Sequence, residues 1–359
     1  MLKKITLLLL TALLLLTVSC NNKPGPEPEY SDYVVVLNQG NYNSQDGSIS
    51  LYSEKDNTVT NRVFESANGN ISIGACLYGG DFTSDGRLLI LCSNPDKVLV
   101  INPYTFQLIS TLNDENLSSG RSICSDNNYV YISNYGTTYT QEAGTWVQEY
   151  IESYVSIYNI STLSFVDTVR VGSDAEGMVK WGNNLYVATK QGITVIDVPT
   201  RKVTSKISDA SLGAAKYLLI NGSNGTIYAS FPAYGIAEIS TSSNSITKKY
   251  QMEIDDMDGY IAINSDYSNI YSYKTTYDEN WNIVSAHVNE LNLSTGAAKI
   301  FAEGDYFYGV GANPFNDNIY ASDVSFSSNS LLKVFDKNGT SIGSHAVGIG
   351  TYRFLYMRF

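Results

Sequence analysis

Short apolar runs recur along the chain, each closed by a small polar residue and a turn. They end at Tyr52-Ser53, Ile101-Asn102, Tyr158-Asn159, Ile196-Asp197, Ile239-Ser240, Leu291-Asn292 and Phe335-Asp336, at spacings of 49, 57, 38, 43, 52 and 44 residues. A second strand-like run precedes most of them: LLILC, YVYIS, LYVAT, IYASF, IYSYK and IYASD. Asn, Asp, Gly and Ser fill the gaps, and apolar residues at helical spacing are scarce. The segment EGMVKWG, NLYVAT, ITVIDV, KVTSKI shows the full unit: four strands in about 40 residues. A period of 40–50 residues with four strands per unit predicts an all-β, seven-bladed β-propeller.

The first unit is one strand short. It offers VVVLN, SISLYS and TVTNRVF, whereas later units offer four segments each. The chain ends on TYRFLYMRF, where Tyr352, Phe354 and Tyr356 alternate with Arg353, Leu355 and Met357. This terminal strand is expected to supply the missing inner strand of the first blade, in a 3+1 closure that leaves no open sheet edge.

The N-terminus has a different pattern. Lys3 and Lys4 precede an apolar run from Ile5 to Leu16 that is too short to span a bilayer, which marks a secretory signal over residues 1–19. Leu16-Thr17-Val18-Ser19-Cys20 resembles the lipobox of bacterial lipoproteins, in which the cysteine is acylated, so Cys20 is the expected lipidation site. Residues 20–31, with Pro24, Pro26 and Pro28, read as a stiff tether, and residues 32–359 as the propeller.

Composition narrows the chemistry. Loss of Lys3 and Lys4 with the signal leaves 21 basic against 35 acidic residues, a charge of −14 that disfavours nucleic acid as a partner. Contact with a membrane is expected only through the lipid on Cys20. Cys76, Cys92 and Cys124 have no framework spacing and read as small buried side chains. His287 and His345 stand alone, so neither a zinc site nor a histidine triad has its residues. Asp255-Asp256-Met257-Asp258-Gly259 offers oxygen ligands without the spacing of a calcium loop, and is expected to be a solvated acidic crossover. No phosphate-binding glycine loop and no G-x-S-x-G occurs. No catalytic residue, metal or cofactor is expected.

In antiparallel blades the A–B and C–D turns fall on one face, and the B–C loops and D–A crossovers on the other. The first set is short and plain: SDNN, WGNN, NGSNG, NPYT, NIST, DVPT, DKNG. The second set varies in length and carries large side chains: Tyr42, Tyr135, Tyr139, Trp146, Tyr234, Tyr277, Trp281 and Phe326. The crossovers add Arg121, Glu176, Lys216, Asp258, Tyr78, Tyr308 and Tyr352 around the central opening, either as anchors for a ligand's polar groups or as ion pairs satisfying one another. Tyr131, Tyr186, Tyr228, Tyr271 and Tyr320 recur at one place in five B strands and are assigned to blade packing. A tyrosine floor buries roughly 150–250 Å² per ring and keeps hydroxyls for hydrogen bonds. It suits a corrin or a glycan, and the residues alone do not choose between them. An envelope lyase or hydrolase using carboxylates on this face is the third reading.

Leu37-Asn38-Gln39-Gly40-Asn41 and Ala175-Glu176-Gly177-Met178 resemble the YncE-like propellers, and the whole resembles lipid-anchored envelope propellers of the Bacteroidota. That family more often has Pro at the position of Ala175. The resemblance spans residues 33–359 and includes the BtuG type, which captures corrinoids (vitamin B12 and relatives) beside a TonB-dependent outer-membrane transporter. It implies a cell-surface, outer-membrane-anchored lipoprotein that binds its ligand non-covalently and is not an enzyme.

Overall fold

The computed structural model describes residues 31–144 and 148–359. The signal, Cys20, the tether as far as residue 30 and Trp146 lie outside the described residues. Seven four-stranded antiparallel sheets form the ring, one for each unit of the repeat. The second and third strands, such as Leu88–Asn94, Asn184–Thr189 and Gly192–Asp197, are near-continuous apolar runs, buried on both faces between neighbouring blades. Outer strands such as Phe165–Gly172 and Lys202–Ile207 meet solvent and are correspondingly mixed.

Closure follows the 3+1 pattern. Thr351–Arg358 is the inner strand of blade 1 and pairs antiparallel with Asp32–Asn38, followed outward by Ser48–Ser53 and Thr58–Thr60. The two faces of the terminal strand meet different neighbours. Phe354 and Tyr356 pack with Tyr320, Leu332 and Val334 of blade 7, while Leu355 and Met357 pack with Leu77 and Ile90 of blade 2. The family-like Leu37–Asn41 segment is a lock for this closure. Asn38 Nδ2 donates to Ser50 Oγ (3.0 Å), and Thr351 Oγ1 donates to Asn38 Oδ1 (2.6 Å). Gly40 has φ 67° and passes so close to the Gly47 backbone that no side chain fits there.

Two expectations need correction. TVTNRVF is not one strand: the strand stops at Thr60, Arg62 turns the chain at φ 58°, and Val63–Ala67 forms a short helix that buries Phe64. The loop of blade 3 is partly a ribbon, Tyr139–Gln141 paired with Gln148–Tyr150. Among the described residues no helix is long and apolar enough to cross a membrane.

The plain turns have a common cause. Asn102 Oδ1 accepts from the backbone N–H groups of Tyr104 (2.9 Å) and Thr105 (3.2 Å), and Asp126, Asn159 and Asp336 do the same in their turns. The repeated tyrosines are packing, as expected: Tyr131, Tyr186, Tyr228, Tyr271 and Tyr320 are all buried, and Tyr131 and Tyr186 bond to Asp126 and Asn244. Cys76, Cys92 and Cys124 are free thiols, with Cys92 buried and the other two half-buried.

Candidate functional site

The strand directions put the varied loops and the crossovers on one face, with the closing residues Asn38 and Thr351 at that end of blade 1. On this face most of the expected aromatic residues form one continuous belt. Trp281 lies 6.0 Å from Tyr277 (ring centroids), and Tyr277 lies 6.3 Å from Tyr306. Tyr306 and Tyr308 both contact Phe326, and Tyr308 stands 5.3 Å from Tyr352. Tyr352 meets Tyr78 edge-on at 6.1 Å. The Arg121 guanidinium bridges the next gap, 4.0 Å from the Tyr78 ring and 4.7 Å from that of Tyr135. Tyr135 stacks on Tyr150 at 4.6 Å, and Tyr150 meets Tyr139 at 5.7 Å.

The belt therefore runs from blade 6 through blades 7, 1 and 2 to blade 3. Its ends are open, with Trp281 82 % and Tyr139 48 % exposed, while its centre dips towards the channel. Tyr306 and Tyr150 belong to it although sequence reasoning did not single them out. Tyr306 sits in a two-residue crossover with no length to signal it, and Tyr150 would have been found by pairing it across the ribbon with Tyr139.

Other expected residues stand apart. Tyr42 is exposed on the loop of blade 1, where its carbonyl accepts from Asn94 Nδ2 (2.6 Å), and it makes no ring contact among the described residues. Tyr234 packs beside the core of blade 5 and lines an open groove with Gln251, Glu253 and Lys274. Tyr352 and Glu176 are, respectively, 2 % and 5 % exposed, so neither reaches a ligand lying on the face. Both correct the expectation of direct contact. They act from beneath, Tyr352 as the support between Tyr78 and Tyr308, and Glu176 as the acceptor that orients its neighbours.

At the channel mouth the crossover charges pair with one another. Glu176 Oε2 accepts from Arg121 Nε (3.1 Å) and Oε1 from Lys216 Nζ (2.8 Å), with the Tyr135 hydroxyl also donating to Oε1. Ser133 Oγ holds the Glu176 carbonyl at 2.7 Å. Burial opposes the charge on Glu176, but Arg121 and then Lys216 outweigh it and hold the carboxyl below its ordinary range. Burial likewise opposes the charge on Arg121, and Glu176 overrides it.

A second pair lies beside the first. Arg353 donates to Asp258 Oδ2 (3.1 Å) and to the Tyr352 hydroxyl (2.6 Å), and its guanidinium carbon lies 3.5 Å from the Tyr260 ring centroid. Asp258 also accepts from Tyr273 (2.8 Å). These contacts correct the expectation of a solvated acidic crossover. Asp255 and Asp258 are each 7 % exposed and committed to internal bonds, and only Asp256 faces solvent, paired with Lys274. No group of residues able to hold a metal ion occurs among the described residues. The two clusters enclose a cavity of about 50 Å³. That is room for a few waters and far too little for a ring system.

The family model for a domain of unknown function (DUF5074) matches residues 32–354. The chain belongs to this family. No curated protein matches it. Among solved structures it is similar to a quinonprotein alcohol dehydrogenase-like protein of Bacteroides thetaiotaomicron, at 12 % identity and TM-score 0.63 over 90 % of this chain and 78 % of that one. It is also similar to the hydrazine synthase of Kuenenia stuttgartiensis, at 15 % identity and TM-score 0.55 over 72 % and 76 %. A third likeness is the extracellular domain of a putative one component system of B. thetaiotaomicron, at 13 % identity and TM-score 0.50 over 74 % and 32 %. At these identities the shared feature is the propeller.

Proposed function

We propose that this DUF5074 propeller is a lipid-anchored protein of the outer-membrane surface that binds one corrinoid on its aromatic face. It holds the ligand non-covalently, leaves it chemically unchanged, and passes it to a TonB-dependent transporter. The observation that carries the reading is the continuous belt from Trp281 to Tyr139 on the loop-rich face. Because the interior cavity is too small for a ring system, a ligand of this face lies across it, which suits a broad, flat molecule edged with amides. Tyrosine hydroxyls along the belt can meet such amides while the rings cover apolar area. The resemblance to corrinoid-capturing propellers points the same way. A hydrolytic reading has less to work with, because Glu176 and Asp258 are each bound to cations, and His287 and His345 bond to Glu253 and Asn57.

The test uses the ligand's colour. Purified protein mixed with cyanocobalamin is run on gel filtration, and one equivalent of visible absorbance is expected to travel with it. Trp281→Ala and Tyr277→Ala each truncate an exposed anchor and should weaken binding about 5–30-fold, or 1–2 kcal/mol. Tyr186→Ala, in the core, should lower the melting temperature and leave affinity unchanged. Colourless elution at micromolar protein refutes the corrinoid reading, and a glycan array then tests the other ligand class that suits an aromatic floor.

A further inference from the structure

The charges at the channel mouth do not cancel. Glu176 is the one carboxylate paired with both Arg121 and Lys216. A guanidinium brings five N–H donors and an ammonium three, yet each spends a single bond on Glu176, at 3.1 and 2.8 Å. Neither cation has a second carboxylate partner among the described residues. The adjacent Arg353–Asp258 pair is neutral in itself. The five charged groups lining the cavity carry a net +1, in a chain whose formal charge is −12, while Asp174, outside that lining, also acts on Lys216. Cationic donors left unspent beside a poorly solvated cavity favour an anionic acceptor there.

The geometry around those cations is fixed. The Arg121 guanidinium lies against the rings of Tyr78 and Tyr135, which confines its remaining hydrogen bonds to the in-plane edge, the arrangement suited to oxyanions. Lys216 is located by its backbone: its N–H donates to the Ser230 carbonyl (3.0 Å), and its carbonyl accepts from Gly177 N–H (2.9 Å). Both side chains border the same cavity of about 50 Å³, in the middle of the aromatic belt.

We propose that this cavity is an oxyanion subsite that receives a phosphate group between Arg121 and Lys216, with Glu176 orienting both. The inference rests on the loop face being the ligand face and adds the ligand's class to it: a molecule with a broad apolar body and a phosphodiester. A complete corrinoid, whose nucleotide loop contains a phosphodiester, has both parts. Within the same chemistry, free phosphate is the other source.

Inorganic phosphate is the first probe, followed by thermal shift and calorimetry against chloride at equal ionic strength. A saturable stabilisation specific to phosphate is expected. Lys216→Met should weaken it tenfold or more, and Glu176→Gln, which raises the local charge to +2, should strengthen it. A purely structural ion cluster would lower the melting temperature in both variants and leave the phosphate response unchanged. No response beyond chloride, or an unaltered response in Lys216→Met, refutes the subsite. Cyanocobalamin and dicyanocobinamide, which share the corrin but differ in the phosphodiester, separate the two sources. A tenfold preference for cyanocobalamin that disappears in Lys216→Met supports the ligand's own phosphate, and equal binding overturns that assignment in favour of free phosphate. If neither corrinoid binds while phosphate still does, the corrinoid reading falls and the subsite stands.

Discussion

Phe354→Ala isolates the contribution of ring closure without removing the closing strand. The Phe354 side chain is 3 % exposed and sits 5.9 Å from Tyr320 (ring centroids), over a strand of blade 7 where Gly311 leaves room. A Cβ at Gly311 would stand 2.8 Å from Phe354 Cδ2, so the ring fills space that only glycine opens. Truncating a buried Phe removes its transfer free energy and leaves a cavity, at a cost of about 3–5 kcal/mol. With an unfolding entropy of about 2.1 cal/mol/K per residue over roughly 330 residues, 4 kcal/mol lowers the melting temperature by about 6 °C. Phe359→Ala is the control. That ring is 42 % exposed against Tyr33 and Tyr104, and its loss should cost under about 1 kcal/mol. Deleting Thr351–Phe359 removes the buried side chains of Tyr352, Phe354 and Met357 together, at about 1.5–3 kcal/mol each. The loss also unpairs Asp258 and exposes a whole ladder, so the total approaches the entire 5–15 kcal/mol by which domains are stable, and no cooperative melt should remain. Calorimetric melts decide it. If Phe354→Ala melts within 1–2 °C of wild type, or the truncated chain melts cooperatively near it, the inner strand of blade 1 is not Thr351–Arg358.

Three further outcomes follow from the charges and the anchor. Glu65 is 1 % exposed with neither carboxyl oxygen bonded among the described residues, and burial raises its pKa; its ionisation therefore costs stability at neutral pH, so Glu65→Gln should raise the melting temperature at pH 7–8 and give no gain below about pH 4, and a gain that persists in acid would refute this. Glu176 has the opposite sign: its folded pKa lies below the ordinary 4.5, so its pairing stabilises above that value and is lost as pH falls through the folded pKa; Glu176→Gln should cost about 3–5 kcal/mol at pH 7 and shrink to little at the acid end of a urea series, whereas a pH-independent cost would contradict the pairing. Cys20→Ala should abolish labelling of cells with a radioactive fatty acid at the mass of this protein, and continued labelling would remove the lipoprotein proposal.

The legible part of this fold was the part written locally. Asx turns announce themselves in NPYT, NIST and DKNG because the capping side chain and the N–H groups it binds are two or three residues apart. The repeated tyrosines were readable as packing because they recur at one strand position, and the missing inner strand was readable because a count of three begged a fourth. Depth along the channel was not readable. Tyr352 and Tyr78 are both near the loop-face end of inner strands, yet one is buried and the other half-exposed, since the neighbours that cover Tyr352 come from blades 2 and 7. Arg353 escaped notice as a site residue for the same reason: its acid partner is 95 positions away, and only the closed ring brings it to Asp258. The acidic run 255–258 looked solvated because sequence shows its charges but not the Arg353 and Tyr273 donors that neutralise and hold Asp258.

The same closure sets which way the belt faces. Asp32 pairs with Arg358 at one end of blade 1, and Asn38 with Thr351 at the other, so the chain enters the ring at the end opposite the aromatic loops. Ser31 and Phe359 exchange backbone hydrogen bonds of 2.9 and 3.0 Å there, and Arg358 grips Asp32, so the entry point is pinned to the face of plain turns. At about 3.3 Å per residue, the inner strand alone separates the two faces by roughly 25 Å. A lipid on Cys20 would therefore hold the plain face towards the membrane and present Trp281, Tyr277 and Tyr139 outward, where a dilute ligand is first met. Handing a ligand to a transporter embedded in the same membrane, as proposed above, would require the propeller to tip over. On the function proposed above, capture from solution and delivery at the membrane would ask opposite orientations of the ring.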